Sequence, residues 1–358
     1  MKIITLLSVF ALGDAVSNDA LAIHRFLTKH GFHTVMAAEK IYYQPEGTSI
    51  IAAGELSFIE PEDTVIYHLS TGTKLNYLFG RVKCKKVIRY HNVTPPGFFY
   101  GYSNFKVASA LEGKRGAVYL ADKADLCVCD SEFNKNDLIQ MGYRCPMEVV
   151  PILIPFEDYD KQPDEELVKQ LQTGGKNIIF TGRIVPNKRQ EDIIAAFYYY
   201  QKYYDDTARL HLVGNYVGFE NYYQKLQDYV KRLGVRNVNF SGHVSFAQIL
   251  AYYKASHLFL CMSDHEGFCV PLVEAMKFGI PIVAKDTTAI PETLGNAGIL
   301  INDNSPQMLA GLINRILNDD GLKNQLICCG KERLQYFEHD KISIRWLNVL
   351  SHFLEETK

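Results

Sequence analysis

Short apolar runs alternate with longer amphipathic runs along almost the whole chain. The short runs, such as KIITLLSVF, TVIYHLS and NIIFTGR, are rich in valine and isoleucine, and their apolar residues are consecutive rather than alternating with polar ones. Continuous apolar runs are typical of strands that are buried on both faces of a parallel sheet. The runs between them, such as NDALAIHRFLTKHG, have the spacing of helices. This alternation predicts an α/β fold with doubly wound sheets.

The chain is too long for one ordinary hydrophobic core. Its 358 residues suit two domains of roughly 150 residues each. A polar, charged stretch with Pro163 and two adjacent glycines interrupts the alternation, which then restarts. We therefore expect two Rossmann-like domains, residues 1–155 and 156–340, facing each other across a cleft. A final helix over 341–358 is expected to pack back on the first domain.

The sequence predicts a strand at the N-terminal end of the chain and a helix at its C-terminal end. MKIITLLSVFALGDA has the length and apolar character of a signal peptide, but a helical pattern follows at once, which favours a buried first strand. No stretch approaches the roughly 20 apolar residues of a membrane span. The apolar positions expected on the last helix are Ile344, Leu347, Val349, Leu350 and Phe353.

Composition excludes several classes of protein. Hydrophobic residues make up 47% and charged residues 22%, as in soluble globular proteins, and the net charge of -2 gives no support for nucleic-acid binding. The eight cysteines include no CxxC pair, so the spacing does not predict zinc. Apolar surroundings of several cysteines favour a reduced, cytoplasmic protein.

Ligands of doubly wound sheets bind at the carboxyl ends of strands, so residues just after each strand are the candidates for a site. NIIFTGRIVPNKRQ places Gly182 and Arg183 at such an end, and Lys188 shortly before a helix. Glycine allows a close approach of the ligand, while a guanidinium and an ammonium suit a diphosphate. A solvated turn is the alternative interpretation of these charges.

SDHEGFCVPLVEAM strengthens the diphosphate interpretation. Pro271 suits the first turn of a helix, whose leading backbone amides form an anion site. The amides belong to Gly267, Phe268, Cys269 and Val270. Glu266 and Glu274 flank this site, and since a carboxylate repels an anion, each is expected to accept hydrogen bonds from hydroxyl groups. A nucleotide sugar supplies a sugar, a ribose and a diphosphate.

The spacing of the two glutamates in EGFCVPLVE resembles the signature of the retaining GT-B glycosyltransferases often called glycosyltransferase group 1 or GT4. TGRIVPNK resembles the diphosphate motif of that family, and the similarity covers nearly all of the second domain. The resemblance implies that Glu266 contacts the donor sugar, Glu274 the ribose, and Arg183 and Lys188 the diphosphate. It also places His243 and Val244 against the base, while Cys269 stands where many relatives have glycine.

The implied reaction is transfer of a hexose, such as mannose or a deoxyhexose, from a nucleotide sugar to a hydroxyl group with retention of configuration. We expect a front-face mechanism in which the departing diphosphate accepts the proton of the acceptor. No metal or other cofactor is expected. The motif DYD, Asp158–Asp160, lies in the linker rather than after a strand, so we interpret it as coincidental.

The first domain offers weaker candidates. The turn LGDAVSN provides Gly13, Asp14 and Asn18 as donor or acceptor contacts. His91 follows the strand KKVIRY, and the resemblance implies that it touches the donor sugar near the reacting carbon. His68 follows another strand and is a weaker candidate for contact with the acceptor.

RVKCKKVIR collects five basic residues, which we interpret either as a solvated strand edge or as a contact with anionic lipid or a lipid-linked diphosphate. They are Arg81, Lys83, Lys85, Lys86 and Arg89. The expected acceptor is a saccharide or a polyprenyl-linked saccharide, as in bacterial polysaccharide and lipopolysaccharide assembly. The expected location is the cytoplasm, with peripheral contact at the inner face of the plasma membrane.

Three rival functions remain at this point. A GT-B nucleotide-sugar epimerase would convert its donor without an acceptor. A non-catalytic GT-B subunit would keep the fold, although such a copy would be free to lose the four charged residues. A dehydrogenase is disfavoured because no GxGxxG motif follows a strand.

Overall fold

The structure, a computed structural model, describes residues 1–303 and 305–356. The chain forms two compact units, the first made of Met1–Gly97, Asn104–Pro155 and the C-terminal segment from Phe337. The second unit is made of Phe98–Ser103 and Phe156–Tyr336. One boundary between the units lies between Pro155 and Phe156, and the short segment Phe98–Ser103, expected in the first domain, belongs to the second unit.

Within the described residues, the sheet of the first unit has seven strands, all paired in parallel. The strands are β1 Ile3–Phe10, β2 Thr34–Ile41, β3 Ile50–Ala52, β4 Thr64–Leu69, β5 Lys85–Tyr90, β6 Leu126–Cys129 and β7 Met147–Val149. Their order is β3-β2-β1-β4-β5-β6-β7, so the direction of winding reverses between β1 and β4. Every residue of β4 and β6 is buried, which explains why these strands are predominantly apolar, with Thr64 and His68 as the polar exceptions.

The helices between these strands are α1 Ala15–Lys29, α2 Leu75–Arg81, α3 Asn104–Leu120 and α4 Glu132–Gln140. The N-terminal apolar run forms β1, as expected, and Asp14 caps α1 by accepting a hydrogen bond from the amide of Ser17 at 2.9 Å.

In the described part of the second unit, the sheet has six parallel strands in the order β10-β9-β8-β11-β12-β13. The strands are β8 Asn177–Thr181, β9 Arg209–Val213, β10 Val238–Gly242, β11 Leu258–Cys261, β12 Ile282–Lys285 and β13 Ile299–Ile301. The winding reverses between β8 and β11, so the loops that follow these two strands diverge and leave a crevice at the carboxyl edge. Both diphosphate motifs of the sequence lie on these two loops.

The second unit contains eight α-helices among the described residues: α5 Glu165–Gln172, α6 Gln190–Tyr203, α7 Glu220–Leu233, α8 Phe246–Lys254, α9 Val270–Lys277, α10 Ile290–Leu294, α11 Pro306–Asn318 and α12 Asp320–Leu334. Short 3₁₀ turns occur at Pro96–Phe99, Phe156–Asp160, Pro186–Lys188 and Gln335–Phe337. The predicted polar linker contains the first residues of this unit, and its opening helix is α5.

The C-terminal helix, α13 His339–Glu356, packs on the first unit as expected. The predicted buried face needs one correction, since Ile344 is 56% exposed while Trp346 is fully buried. Burying the largest side chain excludes the most apolar area from water, and the register of the helix then turns Ile344 outward. Positions 357 and 358 of the predicted helix lie outside the described residues. No helix of residues 1–303 and 305–356 is long and apolar enough to span a bilayer.

Candidate active site

The loops that follow β8 and β9 approach each other closely at the carboxyl edge of the second sheet. Gly182 has a φ of 137°, and a Cβ atom added to Gly214 would lie 2.0 Å from the carbonyl oxygen of Gly182. Glycine at these two positions therefore lets the backbone pack where side chains would collide. Arg183, the next residue, is mostly exposed, and its guanidinium lies 5.8 Å from the ring centre of Phe219.

Lys188 and Glu266 form an ion pair between the loops that follow β8 and β11. Two hydrogen bonds through buried Asn187 join these loops: its side-chain amide donates to the carbonyl of His265 at 3.1 Å, and its carbonyl accepts from the amide of Asp264 at 2.8 Å. Burial lowers the pKa of Lys188, but the Glu266 carboxylate raises it, and the net pKa is raised. Lys188 therefore carries a full positive charge at neutral pH.

This ion pair changes the roles expected from the sequence. Lys188 and Glu266 were assigned separately to the diphosphate and to sugar hydroxyls, but in the structure they bind each other. Glu266 is 8% exposed, and its backbone amide donates to the Thr288 hydroxyl at 3.0 Å, which holds the loop against the segment after β12. We call the Lys188–Glu266 pair the charge centre. Its cation, the Lys188 ammonium, is already in place to attract an anionic ligand.

Helix α9 begins at the expected place, with Val270 as its first residue and Pro271 in its first turn. The loop before it is fixed because the Thr293 hydroxyl donates to the carbonyl of Phe268 at 2.5 Å. Cys269 precedes the helix with a φ of 76°, in the left-handed region. The leading amides of α9 and the partly buried Gly267 thus lie beside the charge centre, on the loop that carries Glu266.

Glu274 lies in α9 and accepts hydrogen bonds from two tyrosines. The hydroxyl of Tyr159 donates to one carboxylate oxygen at 2.7 Å, and the hydroxyl of Tyr253 donates to the other at 2.5 Å. Burial raises the pKa of Glu274, the two tyrosine hydroxyls lower it, and the net pKa is raised. A carboxylate oxygen accepts more than one hydrogen bond, so a ribose hydroxyl can join the tyrosines rather than replace them.

The raised pKa of Glu274 predicts a pH-dependent stability difference. The ordinary pKa of a glutamate carboxyl group is 4.5. At pH values between 4.5 and the raised pKa, Glu274 keeps its proton in the folded protein but has lost it in the unfolded chain. The stability of the wild type relative to Glu274→Gln therefore falls as pH rises from 4.5 through the raised pKa, and then becomes constant. Thermal unfolding of both proteins across this range measures the difference. A difference that is equal at every pH would contradict the raised pKa.

The tyrosines on Glu274 were missed in the sequence. Tyr253 lies in AYYKAS, within a helix where its buried side chain has the ordinary pattern of a core residue. Tyr159 lies in the DYD motif, in which the two aspartates, not the tyrosine, are the recognisable feature. Those carboxylates pair with lysines, Asp160 with Lys277 at 2.8 Å and Asp158 with its neighbour Lys161 at 2.5 Å.

His243 and Val244 follow β10, where His243 is exposed and Val244 is half-buried. Strand β10 lies two strands from β8, which places this loop roughly 10 Å from the charge centre along the same edge of the sheet.

In the first unit, His91 follows the carboxyl end of β5 and is held at both ring nitrogens. Its Nδ1 lies 2.9 Å from a carboxylate oxygen of Asp130, and its Nε2 lies 2.9 Å from Nδ1 of His68. Because a carboxylate only accepts, His91 donates from Nδ1 to Asp130, while its Nε2 shares a hydrogen bond with Nδ1 of His68. A contact between Nε2 of His91 and a donor sugar therefore requires release of the hydrogen bond with His68.

Two buried carboxylates share one guanidinium beneath these histidines. Arg89 donates from Nε to Asp19 at 2.9 Å, and its Nη2 lies 2.8 Å from Asp130. Arg89 also donates to the carbonyl of Val150 at 2.6 Å, while Asp19 accepts from the amide of Leu153 at 2.7 Å. All three charged side chains are almost completely buried. Neither Asp19 nor Asp130 was identified from the sequence, where a lone aspartate in a helix or after a strand carries no distinctive signal.

The oxygen of Asp19 and the ring nitrogens of His68 and His91 lie within 4.8 Å of one another, as metal ligands do. Arg89 supplies one positive charge to this cluster, shared between Asp19 and Asp130. Burial, then His91 and Arg89, lower the pKa of His68 far below its ordinary range, so this ring is neutral. His68 is 1% exposed. The expected contact of His68 with an acceptor is therefore replaced by a supporting role behind His91.

The turn after β1 is exposed. Gly13, Asp14 and Asn18 all face solvent in the first unit, and the Asp14 carboxylate is engaged as the cap of α1. Asp14 and Asn18 are thus accessible, without a structural feature that assigns them a ligand.

The basic stretch lies at the opposite edge of the first sheet from His91. Its four surface residues line one open depression beside Asp125, near the amino end of β5. They are Arg81, Lys83, Lys85 and Lys86. Arg89, the fifth basic residue of the stretch, is fully buried, so its inclusion in a surface contact was wrong. A six-residue strand separates the patch from His91 by roughly 20 Å, which is too far for one phosphate group to reach both.

Comparisons with known proteins agree with these motifs. Residues 162–333 match the family model described as "Glycosyl transferases group 1". O-antigen chain mannosyltransferase B of Escherichia coli is 25% identical over 236 residues, which are 64% of this chain and 61% of that protein. A D-inositol 3-phosphate glycosyltransferase of Jonesia denitrificans is 24% identical over 54% of this chain and 47% of its own length. The match thus spans about three fifths or less of these two relatives.

Solved structures share the whole fold. HepE from Anabaena, in complex with UDP and glucose, superposes with a TM-score of 0.77 at 20% identity, covering 98% of this chain and 100% of that one. WaaG, a glycosyltransferase involved in lipopolysaccharide biosynthesis, superposes with a TM-score of 0.73 at 14% identity, covering 97% and 99%. The fold is therefore GT-B, and residues 162–333 of the second unit are similar to the glycosyl transferases group 1 family.

Proposed function

We propose that this protein transfers a hexose from a nucleoside diphosphate sugar to a saccharide or polyprenyl-linked acceptor, with retention of configuration and without a metal ion. The observation that carries the proposal is the Lys188–Glu266 pair, which stands beside the first turn of α9 where the winding of the second sheet reverses. This crevice is the usual ligand site of such sheets, and its charges suit a diphosphate joined to a hydroxyl-bearing group.

When the donor binds, Lys188 and Glu266 are expected to separate and to bind the donor instead of each other. A diphosphate attracts the Lys188 ammonium and releases Glu266, whose carboxylate then accepts hydrogen bonds from the hydroxyls of the donor sugar. Arg183 provides a second cation from an exposed position, and the leading amides of α9 complete the site. The same cations stabilise the diphosphate as it departs, when its negative charge is largest.

The other end of the donor is assigned to residues along the same sheet edge. We propose that Glu274, held by Tyr159 and Tyr253, accepts hydrogen bonds from the ribose. His243 and Val244 contact the base. Glu266 and Glu274 lie on one loop-helix element, whereas the paired carboxylates of a double-displacement enzyme flank the scissile bond. This arrangement supports a front-face reaction in which the diphosphate accepts the proton of the acceptor hydroxyl.

In the first unit, we propose that His91 contacts the donor sugar after it gives up its hydrogen bond with His68. The hydrogen bond to Asp130 holds the proton of His91 on Nδ1. Nε2 of His91 is therefore the nitrogen that can exchange its hydrogen-bond partner. The basic depression lined by Arg81 and Lys83 is proposed to contact anionic lipid at the inner face of the membrane. Its distance from His91 is too long for one phosphate group to contact both.

The sugar and acceptor are assigned by similarity. The Escherichia coli relative is described as a mannosyltransferase of the O-antigen chain, which supports mannose as the donor sugar. HepE has been solved with UDP and glucose, and WaaG takes part in lipopolysaccharide biosynthesis. Bacterial polysaccharide assembly is therefore the proposed context, with a deoxyhexose as the alternative donor.

A thermal-shift panel of UDP-, GDP-, dTDP- and ADP-sugars tests the donor site. One nucleotide class is expected to stabilise the wild type, by about 2.7 kcal/mol at 100 times the dissociation constant, and to stabilise Arg183→Ala much less. Arg236→Ala is the control, because Arg236 is exposed near the amino end of β10, at the opposite edge of the sheet.

The outcome separates the rival functions. Product formation that depends on a saccharide acceptor supports transfer, while conversion of the bound donor without acceptor would identify an epimerase. The absence of stabilisation by all four classes would refute the donor site and favour a non-catalytic subunit.

A further inference from the structure

Two thiols and a carboxylate meet where β11 ends and α9 begins. Cys261 is the last residue of β11 and Cys269 precedes α9, and their sulfur atoms and a carboxylate oxygen of Glu266 all lie within 4.8 Å of one another. The two thiols also share a hydrogen bond. The spacing of the cysteines in sequence predicted no zinc site, but the tight loop brings residues eight positions apart into contact.

The backbone of Cys269 is strained. Its φ of 76° and ψ of 66° lie in the left-handed region, which costs a residue with a side chain roughly 1–2 kcal/mol relative to glycine. Glycine is the residue that the resemblance leads one to expect here. The strained backbone places the sulfur against Cys261 and Glu266, so the side chain has a local partner that glycine would lack.

We propose that Cys261, Cys269 and Glu266 form a binding site for a thiophilic divalent cation, with zinc as the preferred ion. In a tetrahedral zinc site, ligand atoms lie roughly 3.5–3.8 Å apart, given zinc–sulfur and zinc–oxygen distances of about 2.3 and 2.1 Å. The three atoms lie within 4.8 Å of one another, so binding of the ion draws them together by about 1 Å at most. Two thiolates select zinc over magnesium and calcium, and water fills the fourth position.

The charges balance in both states of the site. Without metal, neutral thiols accompany the ion pair of Lys188 and Glu266. On binding, the two thiols release two protons and become thiolates, so two thiolates, one carboxylate, one ammonium and one Zn²⁺ again sum to zero. Cys269 is 6% exposed and Glu266 is 8% exposed, which leaves the ion a path from the loop side.

A consequence of this site, which rests on the proposed function, is inhibition by zinc. The metal takes the Glu266 oxygen that the donor sugar is proposed to use. Zinc and the nucleotide sugar therefore compete, and donor affinity falls as the zinc concentration rises.

The test is the binding of Zn²⁺ alone to the reduced, full-length protein, measured by competition with a chromophoric zinc indicator. The wild type is expected to bind one ion, and Cys269→Gly and Cys261→Ser are expected to bind it more than about 100-fold more weakly. Loss of a residue that only supports a metal ligand already lowers metal affinity by about 10- to 100-fold, and loss of a ligand itself should lower it further. Cys145→Ser is the matched control, since Cys127 and Cys145 form another close thiol pair, 3.5 Å apart, in the first unit.

Each outcome decides the proposal. Loss of the tight ion in Cys269→Gly together with its retention in Cys145→Ser supports it. Undiminished binding in Cys269→Gly, or loss in Cys145→Ser, overturns it. Glycine relieves the strain at position 269, so this variant is expected to unfold at a temperature no lower than the wild type. Because no nucleotide sugar is present, the result is independent of whether the proposed function holds.

Discussion

Replacement of Lys188 by alanine is expected to lower the rate of sugar transfer by about 10²- to 10³-fold, the loss typical when one donor to a developing negative charge is removed. The change removes a cation from the proposed diphosphate site and leaves the Glu266 carboxylate, only 10% exposed, without the ammonium it binds. The turnover number and the KM for the donor nucleotide sugar, measured with saturating acceptor, check this expectation.

Lys285→Ala is the matched control for this variant. Lys285 ends β12 and pairs with Asp264, which lies on the same loop as Glu266. The Lys285 side chain is 21% exposed, similar to the 20% exposure of the Lys188 side chain. A partly exposed pair contributes about 0–1 kcal/mol, so turnover is expected to stay within about fivefold of the wild type. Equal effects of the two substitutions would mean that Lys188 only holds the loop, and the role in diphosphate stabilisation would be withdrawn. Lys188→Arg, which keeps the charge, is expected to retain part of the activity.

Replacement of Arg89 by methionine is expected to destabilise the first unit by about 3–5 kcal/mol, the usual cost of breaking a buried ion pair from one side. The change leaves Asp19 and Asp130 buried without their shared cation. Burial lowers the pKa of Arg89 while Asp130 and Asp19 raise it, and the net pKa is raised, so the guanidinium remains charged at all ordinary pH values.

Urea unfolding followed by tryptophan fluorescence measures this effect in the correct unit. The chain has a single tryptophan, Trp346, which packs in the first unit with the guanidinium carbon of Arg89 5.3 Å from its ring centre. Lys83→Met, an exposed change in the same basic stretch, is expected to alter stability by no more than about 0.5 kcal/mol. A similar midpoint for Arg89→Met and Lys83→Met would show that the network does not support the first unit.

The architecture was predictable because its signals are local. Continuous apolar strands, amphipathic helices and the helix start at Pro271 depend on residues close together in sequence, and the structure has both parallel sheets and α9 where they were expected. The two loops that carry Lys188 and Glu266 could be identified in the same way, because each follows a buried strand and contains a glycine and a charged residue.

The contacts within the site were not predictable because they join residues that are distant in sequence. Lys188 and Glu266 are 78 positions apart, and Tyr159 and Glu274 are 115 positions apart. Only the strand order, which makes β8 and β11 neighbours, brings the first pair together.

The sequence alone thus determined two parallel α/β units, the polar residues at the strand ends and the similarity of the second unit to glycosyl transferases group 1. The tertiary structure alone decided that Lys188 binds Glu266, that Arg89 lies in the core rather than on a basic surface, and that two separated cysteines face each other. The physical reason is that periodicity and turn chemistry act over a few residues. Ion pairing and burial, in contrast, depend on which strands become neighbours.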